Sequence, residues 1–469
     1  MGREKQRADY LIKNTVIFTI GSIATKMIAF FLVPLYTNVL TTSQYGVVDL
    51  ITTICMVLAP TLVLNIMDGV LRFSMDKNAD HTKIMSVGLA LFVLSIFIGL
   101  LIFPISSFFD KIKPYSIYIY FYTLSLALSQ ISLCYLRGKE FLVKYAIGNI
   151  IQTFLTGILN IIYLLVLHQG IEGYFKAYIL AGVITSIYSF LVGGVFENIK
   201  HFKLDKKLSL QMIKYSVILI PNNFIWWIIN SSDRIMISSM ISSSANGIYA
   251  VSYKLPSLVS VLSGIFNQAW CYSAVKENDS DDRDQYTNNV YNGICGIAII
   301  SGVGLIAIMK SFLKIYVEQS YYSAWKYSPF LVVGYVFLTL ATFLATPYTV
   351  NKYSKGYLFS STFGAIVNII LNFIFIPIIG IAGAALATGL SYIAVFIYRV
   401  IDTRKFIHLK ILNKQHIIGF LVLFCSAATI FIDNILGQVL LFVEFAFVVI
   451  IFNNIWLPLV KNIIKKIRK

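Results

Sequence analysis

Ile12-Lys13-Asn14-Thr15-Val16-Ile17 recurs as Ile213-Lys214-Tyr215-Ser216-Val217-Ile218, and Ser43-Gln44-Tyr45-Gly46 recurs as Ser244-Ala245-Asn246-Gly247. Both pairs are 201 residues apart, which indicates that the second half of the chain repeats the first. A duplicated set of membrane helices is typical of carriers that work by alternating access. The repeat therefore predicts transport rather than catalysis.

The composition is that of an integral membrane protein. Of 469 residues, 58% are hydrophobic and only 13% are charged, and the mean hydropathy is +0.78. Soluble domains carry about 25% charged residues, so a soluble globular fold is excluded. The formal net charge is +17, but the Lys and Arg lie between apolar runs. We interpret them as charges that set membrane topology, and we expect no nucleic-acid partner.

The sequence contains no pattern of catalytic or metal-binding residues. No nucleophile, base and orienting group stand at a recognisable spacing, and there is no Gly-rich phosphate loop with its Lys. The five Cys lie singly in or beside apolar runs, which favours neither a disulfide framework nor a zinc site. We therefore predict no catalytic residues, no metal and no cofactor. A polyprenyl-sugar polymerase or ligase is the alternative among enzymes, but it would be expected to carry a larger outer loop than 310–326.

A span needs about 20 mostly apolar residues, and such windows predict about fourteen transmembrane helices. The positive-inside rule places both termini in the cytoplasm, because most of the 38 Lys and Arg then lie on one side. The predicted parts are an N-terminal lobe (1–199, spans 1–6), a cytoplasmic linker (200–211), a C-terminal lobe (212–402, spans 7–12), and spans 13–14 with a basic tail (403–469). The predicted spans are 11–36, 47–71, 84–106, 115–136, 145–167, 174–196, 212–236, 248–275, 289–310, 327–349, 357–377, 381–400, 416–432 and 435–457.

A motif of small residues joins spans 11 and 12. It begins at Asn372, passes Pro377 and Gly380, and continues from Gly383 to Thr388. Small residues let helix backbones approach closely in lipid, so the motif predicts a span that ends at Pro377, a turn at Gly380 and a tightly packed next span. A partial copy in the first half consists of Asn160, Gly170 and Gly173.

This pattern, N-x4-P-x2-G-x2-G-A-A-x-A-T, resembles the corresponding segment of the Wzx-like polysaccharide flippases of the multidrug/oligosaccharidyl-lipid/polysaccharide exporter superfamily. The resemblance covers residues 10 to 455. Other matching segments are Pro34-Leu35-Tyr36, Arg137-Gly138-Lys139, Asp233-Arg234-Ile235-Met236-Ile237 and Gly247-Ile248-Tyr249.

The resemblance implies an all-α integral membrane protein with two repeated six-helix lobes plus two C-terminal helices. It implies a flippase that carries undecaprenyl-pyrophosphate-linked oligosaccharide across the bacterial cytoplasmic membrane, for capsule, exopolysaccharide or wall polymer. The implied partners are this lipid-linked sugar, membrane lipids, and polymerase and other polysaccharide-assembly proteins.

Charged residues at membrane depth usually face a cavity or a partner. We hypothesise that Lys26, Arg234 and Lys254 line the cleft between the lobes and attract the pyrophosphate. Arg72 and Arg137 are predicted to assist entry at the cytoplasmic mouth. The alternative for Arg72 is an i,i+4 ion pair with Asp68, and for Arg234 an extended position at the outer headgroups together with Asp233.

Two further roles are predicted within the spans. Asp233 and Asp68 are candidates for coupling to a proton or sodium gradient, and Trp226 and Trp227 are candidates for stacking on sugar rings. A cation-coupled multidrug antiporter of the same superfamily is an alternative function, but the deep charges here are mostly basic, which favours an anionic substrate. A lipid II flippase is a second alternative, which only substrate tests separate.

Overall fold

The computed structural model describes residues 23–76, 78–102, 104, 110–199, 201, 203–277, 280–351 and 353–457, all of them helical or connecting segments without a strand. The repeat segment 12–17 lies outside these residues. The helices are α1 (Ile23–Val39), α2 (Thr42–Leu62), α3 (Ile66–Ser74), α4 (His81–Ile102), α5 (Ser116–Gly138), α6 (Leu142–Asn160), α7 (Gly170–Gly193), α8 (Val195–Ile199), α9 (Lys206–Met240), α10 (Ser243–Ser252), α11 (Lys254–Lys276), α12 (Arg283–Tyr316), α13 (Ser328–Phe343), α14 (Thr346–Val350), α15 (Ser354–Ile379), α16 (Ile381–Asp402), α17 (Lys414–Thr429) and α18 (Ile435–Ile451).

Among the described residues, nine helical segments are long and apolar enough to cross a bilayer, and α9 brings the number to ten. The nine are built on α2, α4, α5, α6, α7, α12, α13, α15 and α16. The shorter apolar helices α1, α17 and α18 have 10–17 residues each. The predicted all-α membrane fold is therefore confirmed, and the count of about fourteen spans stays a prediction.

Several predicted spans are divided between two helices, among them 327–349, which contains α13 and most of α14. The span predicted at 47–71 is broken between α2 and α3, where Leu64 and Asn65 have φ values of +52° and +54°. The span predicted at 248–275 is broken at Tyr253, between α10 and α11. Pro256 lies in the first turn of α11, where the missing N–H has no intrahelical partner to lose. Hydropathy does not detect such breaks, because the average over a window of about 20 residues stays apolar across them.

The chain forms two compact units, Met1–Trp227 and Ile228–Lys469. The core of the first unit contains Ile66, Val70, Ile131 and Met212, all fully buried. The core of the second unit is built around Tyr249, Leu331, Ala384 and Ala385. Helix α9 begins in the first unit and ends in the second. The predicted division at the linker 200–211 stays a prediction.

The repeat is visible in matching helix caps. The Thr41 side chain accepts a hydrogen bond from the Gln44 N–H at the start of α2. The Ser242 side chain accepts one from the Ala245 N–H at the start of α10. Thr41 lies 201 residues before Ser242, and Gln44 lies 201 residues before Ala245. The two halves therefore begin corresponding helices with the same type of side-chain cap.

The small-residue motif forms a helical hairpin in each unit. Gly380 has a φ of +61° between α15 and α16, and Gly170 has a φ of +54° at the start of α7. These conformations favour glycine because a Cβ is strained there. Helix α15 continues two residues past Pro377, to Ile379. In the first unit, a π-helical turn at Ile161–Val166 follows α6, and it accommodates the two extra residues between Asn160 and Gly170.

The segment before α9 is held by an acidic cap. The Asp205 carboxylate accepts hydrogen bonds from the Lys207 and Leu208 N–H groups at 3.0 and 3.1 Å. These bonds, first that from Leu208, hold the pKa of the Asp205 carboxyl below its ordinary value. The Lys83 ammonium lies 3.7 Å from the same carboxylate and 3.4 Å from Asp80. The linker is thus attached to the start of α4 within the first unit.

Candidate functional site

The second unit contains a fully buried carboxylate. Asp233 lies in α9 with none of its surface exposed. Its Oδ2 accepts hydrogen bonds from the Tyr249 hydroxyl at 2.5 Å, the Tyr253 hydroxyl at 2.8 Å and the Thr388 hydroxyl at 3.2 Å. Its Oδ1 accepts one from the Arg234 backbone N–H at 2.9 Å. Four donors therefore replace water around a group that is costly to bury.

The local helix structure sets the positions of these donors. Tyr249 and Tyr253 are four residues apart, at the end of α10 and at the break before α11, so both hydroxyls lie on one side of that turn. Their rings meet edge to face at 5.0 Å. Thr388 lies in α16, one turn beyond Gly383. The hairpin motif therefore contributes a hydroxyl to the carboxylate.

A second group of polar side chains lies beside Asp233. The side-chain Oδ1 of Asn368 accepts hydrogen bonds from the Ser232 hydroxyl and from the side-chain Nδ2 of Asn372, both at 3.0 Å. The Asn368 amide reaches the Thr388 hydroxyl at 3.4 Å. Asn368 and Asn372 are fully buried and four residues apart on α15. Polar side chains in an apolar span are costly to bury unless they bond to one another or to other polar groups.

We name the residues Asp233, Tyr249, Tyr253, Asn368, Asn372 and Thr388 the Asp233 cluster. Among the described residues the Oδ1 of Asn372 has no hydrogen-bond partner. The cluster offers carboxylate, amide and hydroxyl oxygens, which are the ligands that small hard cations prefer. It also offers a carboxylate that can take up a proton. No group of three or more His, Cys, Asp or Glu suited to a metal occurs in the described part of the chain.

The comparisons with known proteins give the family of the chain. A family model described as polysaccharide biosynthesis protein matches residues 11–272. The chain belongs to the polysaccharide biosynthesis protein family. The predicted membership among the Wzx-like polysaccharide flippases is confirmed, and the chain is a multi-pass membrane protein classed with transporters, not with enzymes. No curated protein is a significant match.

Three solved structures with a similar fold are titled as a flippase or as transporters. A lipid II flippase, MurJ, in an inward closed conformation has a TM-score of 0.67 at 16% identity, with 95% of this chain and 98% of that chain covered. An inward-facing MATE family multidrug resistance transporter has a TM-score of 0.62 at 12% identity, covering 83% and 98%. A MOP superfamily transporter from Pyrococcus furiosus has a TM-score of 0.52 at 13% identity, covering 89% and 96%.

In this member of the polysaccharide biosynthesis protein family, the Asp233 cluster occurs in one repeat only. The residue 201 positions before Asp233 is Leu32, and those before Tyr249 and Tyr253 are Val48 and Thr52. At the smaller offset of the hairpin motif, 210 residues, Tyr178 corresponds to Thr388. The first unit therefore lacks the carboxylate, so any ion chemistry of this cluster belongs to the second half of the chain.

The predicted basic residues differ in burial. In the first unit Lys26, Arg72 and Arg137 are exposed, and Arg72 pairs with Asp76 at 2.6 Å rather than with Asp68. In the second unit Arg234 and Lys254 are half-buried. The Arg234 guanidinium lies 5.3 Å from the centre of the Tyr253 ring, which places it beside the Asp233 cluster.

The remaining predicted residues of this family member lie in the first unit. Asp68 accepts a hydrogen bond from the Asn65 amide at 2.7 Å. The indole N–H of Trp227 donates to the Thr53 carbonyl at 2.8 Å. The side chain of Trp226 lies outside the described atoms. Sequence reasoning quoted Tyr249 and Thr388 only as parts of motifs and missed Tyr253 and Asn368. The amides of Asn368 and Asn372 at i,i+4 in an apolar span were a usable signal.

Proposed function

We propose that the protein is a flippase that moves undecaprenyl-pyrophosphate-linked oligosaccharide from the inner to the outer leaflet of the bacterial cytoplasmic membrane, with both termini in the cytoplasm. The observation that carries the proposal is the family match over residues 11–272. The transported oligosaccharide is proposed to be built into a capsule, an exopolysaccharide or a wall polymer. Polymerase and other polysaccharide-assembly proteins are its proposed partners.

Basic side chains are proposed to bind the pyrophosphate. Lys26 and Lys254 supply point charges, and Arg234 supplies a fork that binds two phosphate oxygens together. Arg72 and Arg137 are exposed, which supports a role in the first encounter with the anionic headgroup. Arg72 would exchange its contact with Asp76 for phosphate at modest cost, since exposed ion pairs stabilise by only about 0–1 kcal/mol.

The Asp233 cluster is proposed as the site where transport is coupled to an ion gradient. Binding of a proton or of Na⁺ would neutralise the buried carboxylate. The three hydroxyls around Asp233 lie on α10, on the turn before α11 and on α16, so a change of charge on Asp233 alters the attraction between these elements. Asp68 is proposed only as a secondary candidate, because its single described partner is the Asn65 amide.

Depletion of the protein in its host cell tests the proposal directly. The measurements are undecaprenyl-linked oligosaccharide on the inner leaflet and polymer on the cell surface. Accumulation of the first with loss of the second is the expected result. Normal surface polymer with altered resistance to cationic dyes would replace the proposal with drug export.

Lipid II is the competing lipid-linked substrate, because a lipid II flippase shares the fold over 95% of this chain. The same depletion separates the two. Lysis with accumulation of lipid II on the inner leaflet would assign the protein to wall precursor transport. Unchanged lipid II with accumulation of a different undecaprenyl-linked sugar supports the proposed function.

A further inference from the structure

A cavity of about 310 Å³ lies in the second unit, where α12 meets the turn between α17 and α18. This volume is at the lower limit of small-molecule sites, about 300–1,000 Å³. Among the described residues that line the cavity, Lys310 and Asp433 carry a charge. The topology proposed above, with both termini in the cytoplasm, places both residues at the outer side of the membrane. The cavity therefore offers one charge of each sign at the level of the outer headgroups.

The Lys310 ammonium is held in one place on the cavity wall. The Lys310 side chain is only 17% exposed, and its Nζ lies 4.0 Å from the centre of the Trp325 ring. Trp325 is itself buried, and its ring packs against the Phe431 ring at 5.6 Å. A cation is attracted to the face of an indole, and more strongly when water is excluded. The positive charge of the cavity is therefore anchored.

The negative charge of the cavity is exposed. The Asp433 side chain is 74% exposed, in contrast to Lys310. Its Oδ1 accepts a hydrogen bond from the Lys310 Nζ at 2.5 Å. An ion pair with a well-exposed member contributes little to stability. The anion of a ligand can therefore replace Asp433 at Lys310, provided that Asp433 then receives another cation.

Apolar side chains line the rest of the cavity. Ile430 and Leu441 are buried, whereas Ile432 and Ile435 are 41% and 81% exposed. Exposed apolar side chains at the end of a membrane helix face lipid, because lipid tails are as apolar as they are. The cavity thus opens toward the bilayer beside Ile435. It suits an amphiphile, with its polar head at the two charges and its tails over the exposed isoleucines.

We infer that this cavity binds the headgroup of a phosphatidylethanolamine molecule of the outer leaflet. The lipid phosphate takes the place of Asp433 at Lys310, and the lipid ammonium donates to the Asp433 carboxylate, so every charge keeps a partner of opposite sign. Phosphatidylglycerol would place two negative groups beside one cation. Phosphatidylcholine has no N–H to donate to Asp433. The inference is independent of the proposed function, because this phospholipid is not the transported substrate.

A headgroup bound here would join two elements of the second unit. Lys310 belongs to α12, and Asp433 belongs to the turn before α18. Beside the cavity, the Gln438 side-chain amide of α18 donates to the Ala307 carbonyl of α12 at 3.0 Å. A lipid that contacts both charges adds a second link between these elements. Because a ligand of the folded state alone stabilises that state, the lipid should raise the unfolding temperature.

Three phospholipids with identical acyl chains test the inference on the purified, delipidated full-length protein in detergent. They are phosphatidylethanolamine, phosphatidylcholine and phosphatidylglycerol. Native mass spectrometry measures the affinity for each lipid, and thermal unfolding measures the stabilisation. The variants are Lys310→Gln and Asp433→Asn. The controls Lys314→Gln and Asp281→Asn each remove an exposed charge of the second unit that does not line the cavity.

We expect the wild-type protein and both controls to bind phosphatidylethanolamine about tenfold more tightly than either other lipid. Lys310→Gln should lose this preference, because the phosphate has no cation. Asp433→Asn should reverse it in favour of phosphatidylglycerol, because the ammonium loses its acceptor and the anionic lipid is no longer repelled. A reversal of lipid order is not the effect of a residue that is merely structural.

Two results would overturn the inference. Equal wild-type affinity for the three lipids, or tighter binding of phosphatidylglycerol, would show that the cavity does not select a zwitterionic headgroup. An undiminished preference for phosphatidylethanolamine in Asp433→Asn would show that the lipid binds elsewhere. Asp433 is exposed, so this variant decides the question even if Lys310→Gln fails to fold.

Discussion

The Asp233 carboxylate in α9 accepts a hydrogen bond of 2.5 Å from the Tyr249 hydroxyl in the next helix, α10. Hydrogen bonds to an ionised acceptor are shorter and about twice as strong as neutral ones. Tyr249 and Asp233 are both fully buried, so water does not compete with this contact. The state of one carboxylate is thereby linked to the packing between α9 and α10.

Asp233→Asn should abolish the response of transport to an ion gradient and lower its rate at least tenfold. Asparagine preserves the shape of the side chain and accepts a hydroxyl hydrogen bond, but it takes up no proton and carries no charge. The measurement is flipping in inverted membrane vesicles with and without a protonophore or a sodium ionophore. Asp205→Asn is the control, since it removes a half-buried carboxylate outside the Asp233 cluster and keeps the cap of α9. An unchanged gradient response in Asp233→Asn would remove the coupling role.

Tyr249→Phe should lower the free energy of unfolding by about 1–3 kcal/mol, because Asp233 loses a donor in a buried site. Tyr291→Phe is a matched control. Tyr291 is also fully buried, but its hydroxyl has no hydrogen-bond partner among the described residues. Its removal should be neutral or stabilising. Thermal unfolding in detergent compares the two, and equal effects would contradict the importance of the Asp233 contact.

Gly383→Ala should prevent correct packing of the α15–α16 hairpin. A Cβ at Gly383 would approach the Ile376 backbone nitrogen to 2.9 Å, and a backbone atom in a helix has little room to move. A Cβ at Gly293 in α12 meets nothing within 4 Å. Gly293→Ala should therefore stabilise by about 0.5–1 kcal/mol through helix propensity. The yield of monodisperse protein and the unfolding temperature measure both, and equal behaviour of the two variants would refute the close-approach argument.

Arg399→Lys should destabilise the protein by about 1–3 kcal/mol. Lysine keeps the charge but cannot reproduce the planar set of N–H donors of the guanidinium. Arg399 is 2% exposed. It donates to the Ala341 carbonyl at 2.8 Å and to the Ser360 and Ser361 hydroxyls at 3.0 and 3.2 Å. Arg404→Lys, at an exposed position, should stay within about 0.5 kcal/mol of the wild type. Similar unfolding temperatures for both variants would show that the fork is dispensable.

Lys26→Ala and Lys254→Ala should each lower transport at least tenfold without lowering the amount of folded protein. Both substitutions remove a positive charge proposed to attract the pyrophosphate. Lys355→Ala removes an exposed charge at the start of α15 and should leave transport unchanged. Complementation of a depleted strain, scored by surface polymer, is the measurement. Full complementation by both variants would show that these two lysines do not bind the substrate.

The fold class followed from apolar runs and from the 201-residue repeat, because membrane helices must satisfy every backbone hydrogen bond internally. The division of α2 from α3 did not follow. It depends on positive φ at Leu64 and Asn65, which neither hydropathy nor the presence of a glycine signals. The sequence also predicted that the span ends at Pro377, but α15 continues two residues further, to Ile379. A proline near a helix end interrupts few backbone hydrogen bonds.

The candidate site was predicted only in part. Asp233 was selected because a carboxylate in an apolar span requires an explanation. Its partners Tyr249 and Tyr253 looked like ordinary aromatic residues of a span, and Thr388 is 155 residues away. Hydrogen bonds between such distant positions depend on tertiary packing.

Met212 lies in the core of the first unit together with Ile66 and Val70, yet it belongs by sequence to the second copy of the repeat. A protein made of one copy alone has no such helix to cover α3, unless a second molecule supplies the equivalent segment. In this chain the second copy of the repeat therefore supplies part of the core of the first unit. The two copies are not equivalent, because only one of them carries a carboxylate at the position of Asp233.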